Sequence, residues 1–253
     1  MLIQHAIMKE RILSILEGDR IWSAYALADL DPEHDPFSEW HVAGNSVLLC
    51  YAGLEPPILF AYGEVAHLRS LLEKIPSDEY QISFPQDLHQ CLPSRASILQ
   101  QVPMWRMWFK HTQITQQMEI EVQRLGVEDI SHIDNLYKGK HDAPDSFHPR
   151  QLEMGPFVGV WESKSLVATA GVHVLSESRS VAAIGNIYTH SDWRRRGFAG
   201  ACTASLLSIL ITKGIETLVL NVGQKNQAAV ALYEKMGFKI HCPFYEGNLQ
   251  FQD

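Results

Sequence analysis

The chain has 253 residues, enough for one large domain or two small ones. Its 46% hydrophobic content, with only 16 glycines and 12 prolines, excludes a disordered, fibrous or low-complexity protein. Twenty-one basic against 29 acidic residues give a formal net charge of -8, which argues against nucleic acid and anionic membrane surfaces as partners. The four cysteines, Cys50, Cys91, Cys202 and Cys242, lie far apart, without zinc-knuckle or redox-dithiol spacing. They read as thiols in a reducing compartment. The first nineteen residues carry Lys9, Glu10, Arg11 and Glu17 at helical spacing, unlike the unbroken apolar stretch of a signal peptide. The best apolar run, Val47–Tyr62, is broken by Gly53, Glu55, Pro56 and Pro57. The expected setting is therefore cytoplasmic.

In chain order, Ile3, Ile7, Leu13 and Leu16 predict an amphipathic helix over Ile3–Leu16. Asp29–Glu39 is polar and Pro-containing and reads as a loop. Val47–Tyr51 and Pro57–Tyr62 read as a strand pair, and Glu64–Ile75 as a helix stopped by Pro76. Tyr80–Phe84 is a short strand, Asp87 opens a short helix, and Met104–Lys110 is a further strand. Polar His111–Gln117 lacks periodicity and carries the expected boundary, giving domains 1–115 and 116–253.

Strand alternation resumes at Glu119–Arg124, followed by a helix over Val127–Tyr137 and a polar loop over Lys138–Pro149. Phe157–Trp161 and Leu166–Val174 form a hairpin around Glu162–Ser165, and Ser180–Thr189 is a third strand. Phe198–Lys213 is a helix ended by Gly214. Thr217–Val222 is a buried strand, Gln227–Met236 a helix ended by Gly237, and Phe238–Cys242 a last strand. The alternation of helices and strands places the chain in the α/β (α+β) class, with a mixed or largely parallel sheet.

Chemistry concentrates in Ile187–Gly200, where a strand gives way to a helix through arginine- and glycine-rich sequence. A helix N-terminus offers unpaired N–H groups and the positive end of the dipole. Gly197 and Gly200 let the main chain approach a ligand closely. Arg194, Arg195 and Arg196 add charge and donor forks suited to phosphate oxygens, so a pyrophosphate is the anion that fits best. The nucleotide phosphate loops G-x-x-x-x-G-K-[ST] and G-x-G-x-x-G are absent, as is the G-x-S-x-G elbow. Scattered histidines without ligand spacing predict no metal site.

Arg194-Arg195-Arg196-Gly197-Phe198-Ala199 resembles [RQ]-x-x-G-x-[GA], the diphosphate loop of the GNAT superfamily of acyl-coenzyme-A-dependent N-acyltransferases. A second stretch, Asn226 to Phe238, resembles that family's N-x-x-A-x-x-L-Y-x-x-x-G-F signature. The likeness covers roughly residues 116–253. It implies a GNAT-like mixed central sheet flanked by helices, with acetyl-coenzyme A as cosubstrate and an amine as acceptor.

By the same resemblance, the backbone of Ile187, Tyr188 and Thr189 would hold the pantetheine arm as an added strand. The N–H groups of Arg195 to Gly200, with Phe198 and Ala199 among them, would bind the diphosphate. Asn221, Asn226 and Ala229 complete the expected cofactor contacts. Tyr233 is the candidate acid that protonates the leaving thiolate, and a backbone N–H near Ile187–Tyr188 would stabilise the oxyanion. VAAIGNIYT (181–189) holds no carboxylate, so the amine arrives neutral or passes its proton through water to a more distant group, with His173, His190 and Glu162 as candidate receivers.

Plainer readings stand beside these: a packed tyrosine at 233, a helix cap at Asn226, and Trp105 and Trp108 as packing residues. The acceptor is a small-molecule, peptide or protein amine, and a homodimer is kept open. Residues 1–115 carry no phosphate loop and are expected, by analogy with two-part members, to be a smaller, degenerate α/β copy of the fold. The alternative is a non-catalytic coenzyme-A-binding sensor or scaffold, motivated by the missing carboxylate.

Overall fold

The computed structural model describes residues 2–110, 120–140, 142–144 and 147–253. In chain order its elements are α1 (Leu2–Leu16), α2 (Ala24–Ala28), β1 (Ser38–Ala43), β2 (Ser46–Tyr51), β3 (Ile58–Tyr62), α3 (Val65–Leu72), β4 (Glu79–Pro85) and β5 (Ala96–Phe109). There follow β6 (Gln123–Leu125), α4 (Ile130–Tyr137), α5 (Gln151–Met154), β7 (Phe157–Glu162), β8 (Ser165–Ser176) and β9 (Val181–Thr189). The chain closes with α6 (Phe198–Thr212), β10 (Thr217–Gly223), α7 (Gln227–Lys235) and β11 (Phe238–Phe251).

Two compact units result: Met1–Met107 with Asn221–Gln227 and Ile240–Asp253, and Trp108–Leu220 with Ala228–Lys239. The expected boundary at 115/116 lies outside the described residues, as does the start of the strand expected at Glu119.

In the first unit β1 pairs antiparallel with β2, β2 antiparallel with β3, and β3 parallel with β4. β4 then pairs antiparallel with β11, from Pro85 opposite Phe244 to Glu79 opposite Gln250. Leu68, Leu71 and Leu72 of α3 are buried with Leu48, Leu59, Ile82, Phe84 and Phe251 in one apolar cluster. The second unit repeats this order: β7–β8 and β8–β9 antiparallel, β9–β10 parallel, with β6 antiparallel at the edge of β7. α6 packs on β7, β8 and β9, while α4 and α5 pack on β8. The result is a mixed sheet with helices against it.

Most expected elements are present at close to their expected bounds. Three differ. The polar run read as a loop ends inside β1, whose six residues are mostly half-buried and so lack a clean apolar alternation. α5 has only four residues, below the length at which helical periodicity shows. β11 runs to Phe251, well past Cys242, because its polar residues are absorbed by pairing with β4. The stop signals hold: Gly214 has φ +82°, with its N–H on the Ile211 carbonyl and the Ile215 N–H on the Leu210 carbonyl, a Schellman-type cap.

Candidate active site

β9 is bulged. Thr169 of β8 faces Tyr188 and Gly171 faces Gly185, so Asn186 and Ile187 together oppose Ala170 alone. Asn186 has φ +50°, an angle open to Asn because its side chain can bond locally. The distortion is held by neighbours. The Asn186 carbonyl accepts from the Tyr137 hydroxyl at 3.1 Å and from the Thr169 hydroxyl at 3.0 Å, and the two hydroxyls lie 2.8 Å apart. The Asn186 amide donates to Gln151 Oε1 of α5 at 3.0 Å. A bulge leaves one residue's polar groups outside the ladder and re-aims them. The β9–β10 pairing stops at Ile184 opposite Leu220, although β9 continues to Thr189. Along this free end the Thr189 hydroxyl is buried without a hydrogen-bond partner.

The loop after β9 is built by turns that only certain residues take. A short 3₁₀ turn over Ser191–Trp193 is capped by the His190 ring, which accepts the Asp192 N–H at 3.3 Å. Arg195 has φ +62° and Gly197 φ +88°. Such alternation of left- and right-handed residues turns successive N–H groups towards one point, an anion nest. Gly197 is also the N-cap of α6 and supplies no side chain to it. Among the described residues no acceptor meets the N–H groups of Arg195, Arg196, Gly197, Phe198, Ala199 or Gly200. Six open donors at the positive end of a fifteen-residue helix fit a diphosphate. The site thus suits the phosphates of an acyl-coenzyme A.

The three arginines are not equivalent. Arg194 is engaged by the protein: its guanidinium meets the Asp142 carboxylate, donates to the Thr189 carbonyl at 3.1 Å, and lies 5.7 Å from the Tyr188 ring centroid. Tyr188 in turn reaches Asp142 Oδ1 at 3.4 Å. Arg196 covers the Trp193 ring at 4.5 Å, and Trp193 stacks on Phe198. Arg195 is exposed.

Tyr233 sits on α7, 6% exposed, with its ring 5.8 Å from that of Phe238. Its hydroxyl bonds to no described residue. Burial pushes the phenol well above its ordinary pKa. Ala229 precedes it by one helical turn on the same helix. In the first unit, the Asn221 amide donates to Glu246 while its Oδ1 is buried and unpartnered. Asn226 precedes α7, its N–H bonded to the Gly223 carbonyl at 2.9 Å.

Of the three base candidates, His190 is the cap just described. His173 stands over Gly185, where an added Cβ would fall 2.2 Å from its ring. Glu162 lies at the hairpin opposite Ser165. Among the described residues no group of three His, Cys, Asp or Glu side chains is placed to hold a metal ion. Sequence reasoning missed Tyr137, Thr169, Asn186 and Asp142. The Gly185-Asn186 pair inside an apolar strand was the available signal, since such a glycine marks a bulge. Asp142 lay in a polar loop with nothing to single it out.

The sequence pattern of the Acetyltransferase (GNAT) family matches residues 127–238. Residues 127–238 are thus similar to a GNAT acetyltransferase domain. Mycothiol acetyltransferase of Corynebacterium aurimucosum is 26% identical over 148 residues, 48% of this chain and 48% of that protein. The chain thus spans about half the length of that relative. The [ribosomal protein bS18]-alanine N-acetyltransferase of Escherichia coli K12 is 28% identical over 113 residues, 38% of this chain and 74% of that protein. Among solved structures, a GCN5-related N-acetyltransferase from Kribbella flavida superposes with a TM-score of 0.60 at 16% identity, covering 92% of this chain and 95% of that one. A GNAT-family acetyltransferase from Colwellia psychrerythraea gives 0.59 at 14%, covering 95% and 97%. These two likenesses establish the fold.

Proposed function

We propose that the chain is an N-acetyltransferase that moves an acetyl group from acetyl-coenzyme A to a primary amine by direct attack in a ternary complex. The observation that carries this reading is the row of open N–H donors from Arg195 to Gly200 beside a bulged, part-unpaired strand. The donors would take the diphosphate. Ile187, Tyr188 and Thr189 would pair with the pantetheine arm through their main chain, with Ala229 as a further contact. Binding both reactants side by side supplies much of the acceleration. The bulge would aim an N–H at the developing oxyanion. Tyr233, kept protonated by burial, would donate to the departing sulfur.

No carboxylate stands on β9, so the amine either arrives neutral or passes its proton through water. The acceptor is a small-molecule, peptide or protein amine; peptides beginning with Ala join the panel because a relative acetylates alanine of a ribosomal protein. Residues 1–115 are read as a degenerate copy of the fold, supported by the repeated strand pairing in the two units. A cytoplasmic enzyme is the expected setting, and a homodimer is open to test by sedimentation. Among the described residues no helix is long and apolar enough to cross a membrane.

The test is release of free thiol from acetyl-coenzyme A across an amine panel. Release with at least one amine supports the transferase. Calorimetric binding of coenzyme A with no release for any amine would favour the second reading, a non-catalytic sensor.

A further inference from the structure

The first unit has a cleft of its own. β3 and β4 are paired only from Ile58 opposite Gln81 to Phe60 opposite Ser83, yet the strands run on to Tyr62 and Pro85. A cavity of about 390 Å³ opens there, walled by Asp19, Trp22, Asn45, Tyr62, Pro85 and Cys242 among others. This is the size of a small-molecule site. β9 likewise runs on past its last pair with β10 in the second unit.

The helix entrance differs between the two. Where α6 presents open N–H groups, the N–H preceding α3, that of Glu64, is taken by the Ser46 hydroxyl at 2.8 Å. A Cβ on Gly63, at φ +128°, would fall 2.3 Å from that hydroxyl, so the turn is closed over it. Glu64 also brings a carboxylate, which repels phosphate. A diphosphate does not fit.

The cavity instead offers acceptors. Asp19 Oδ1 accepts the Trp22 N–H at 2.9 Å and Oδ2 meets His241 Nε2 at 2.8 Å. The Ile21 N–H also bonds this carboxylate, which with about four acceptor sites on its two oxygens keeps room for one further donor. Burial alone would raise the Asp19 carboxyl, but the hydrogen bonds from His241 and Trp22 outweigh it and hold the group below its ordinary range. The Tyr62 hydroxyl and the Asn45 amide bond to no described residue. Trp22 adds an aromatic wall. The nearby cation, Arg106, lies over the Trp22 ring at 5.1 Å, is not among the lining residues, and interacts more strongly with Glu246 than with Asp19.

We propose that this cleft binds a small primary ammonium ion, with Asp19 as its charge partner and the Tyr62 and Asn45 oxygens as its other acceptors. An –NH₃⁺ group has three donors and no acceptor, which matches three oxygens of this kind. The aromatic wall would cover the alkyl part. The inference stands apart from the acetyl-transfer reading.

The test uses the full chain without acetyl-coenzyme A, so that a failed thiol assay leaves it untouched. n-Butylammonium, tetramethylammonium and neutral 1-butanol are titrated separately, following the Trp22 indole signal by NMR. Butylammonium alone is expected to shift it. Asp19→Asn should weaken binding by about tenfold, and Tyr62→Phe and Asn45→Ala by about threefold each. If Asp19→Asn fails to fold, the other two variants decide. Equal binding of butanol would show an apolar cavity only. Equal binding of tetramethylammonium would replace the three-acceptor site by an aromatic cage. No shift at about 50 mM butylammonium, or unchanged affinity in folded Tyr62→Phe and Asn45→Ala, would overturn the proposal.

Discussion

The Tyr137 hydroxyl lies 3.1 Å from the carbonyl oxygen of Asn186 and ties α4 to the one bulged turn of β9. Asn186 is held at a positive φ that most residues avoid, so the bulge depends on such contacts. Tyr137→Phe removes one of the two donors to that carbonyl and leaves Thr169 in place. The loss of a buried hydrogen bond should cost about 1–2 kcal/mol, read as a lower denaturant midpoint with an unchanged slope. kcat should fall more than the KM for acetyl-coenzyme A rises, because the bulge would aim the N–H that meets the oxyanion. Wild-type kcat in a destabilised variant would show that the contact is structural only.

This contact illustrates what the sequence could and could not reveal. The loop Arg194–Gly197 and the Asn226–Phe238 stretch are local patterns, each read within a few residues, and their strands and helices fall close to where periodicity puts them. The bulge depends on Tyr137 and Thr169, 49 and 17 residues before Asn186, and no local period reports such a meeting. The pairing of β11 with β4 is of the same kind: Gln250 meets Glu79 across most of the chain, so the last strand looked short. Arg194 was readable as a cation, but its engagement by Asp142 was not, since the partner stands 52 residues away.

Gly197 offers a cleaner test of the anion site. It stands at φ +88° as the N-cap of α6, where an L-residue is disfavoured by about 1 kcal/mol and would relax by shifting the turn that presents the open donors. Gly197→Ala is expected to raise the KM for acetyl-coenzyme A about fivefold or more while kcat stays within about twofold, the pattern of lost ground-state binding. An unchanged KM would remove the nest from the cofactor site.

Arg194 and Asp142 are each roughly two-fifths exposed, so their ion pair should add well under about 1 kcal/mol to folding. Its value would lie in fixing the loop. Arg194→Ala and Asp142→Ala should therefore raise the KM for acetyl-coenzyme A by similar factors, about three- to tenfold, and the double variant no further. A much larger effect of Arg194→Ala alone would mean that this guanidinium contacts the phosphates itself.

Tyr233 is the proposed proton donor, and burial decides how its phenol responds to pH. The unfolded phenol titrates near about pH 10, whereas the buried one stays protonated well above it. Above about pH 10 the unfolded chain therefore binds fewer protons than the native one, and stability falls as pH rises. Tyr233→Phe removes this term. Its urea midpoint should drop less between about pH 9 and 10.5 than that of the wild type, although Tyr137, raised by burial in the same way, keeps some of the slope. In the wild type the Tyr233 phenol stays protonated through the same range, so, if it is the donor, kcat should show no alkaline loss from this group below about pH 10. At neutral pH Tyr233→Phe should lower kcat about ten- to a hundredfold with the KM for acetyl-coenzyme A nearly unchanged. Full activity in the phenylalanine variant would leave the residue as packing against Phe238 and pass the proton to water.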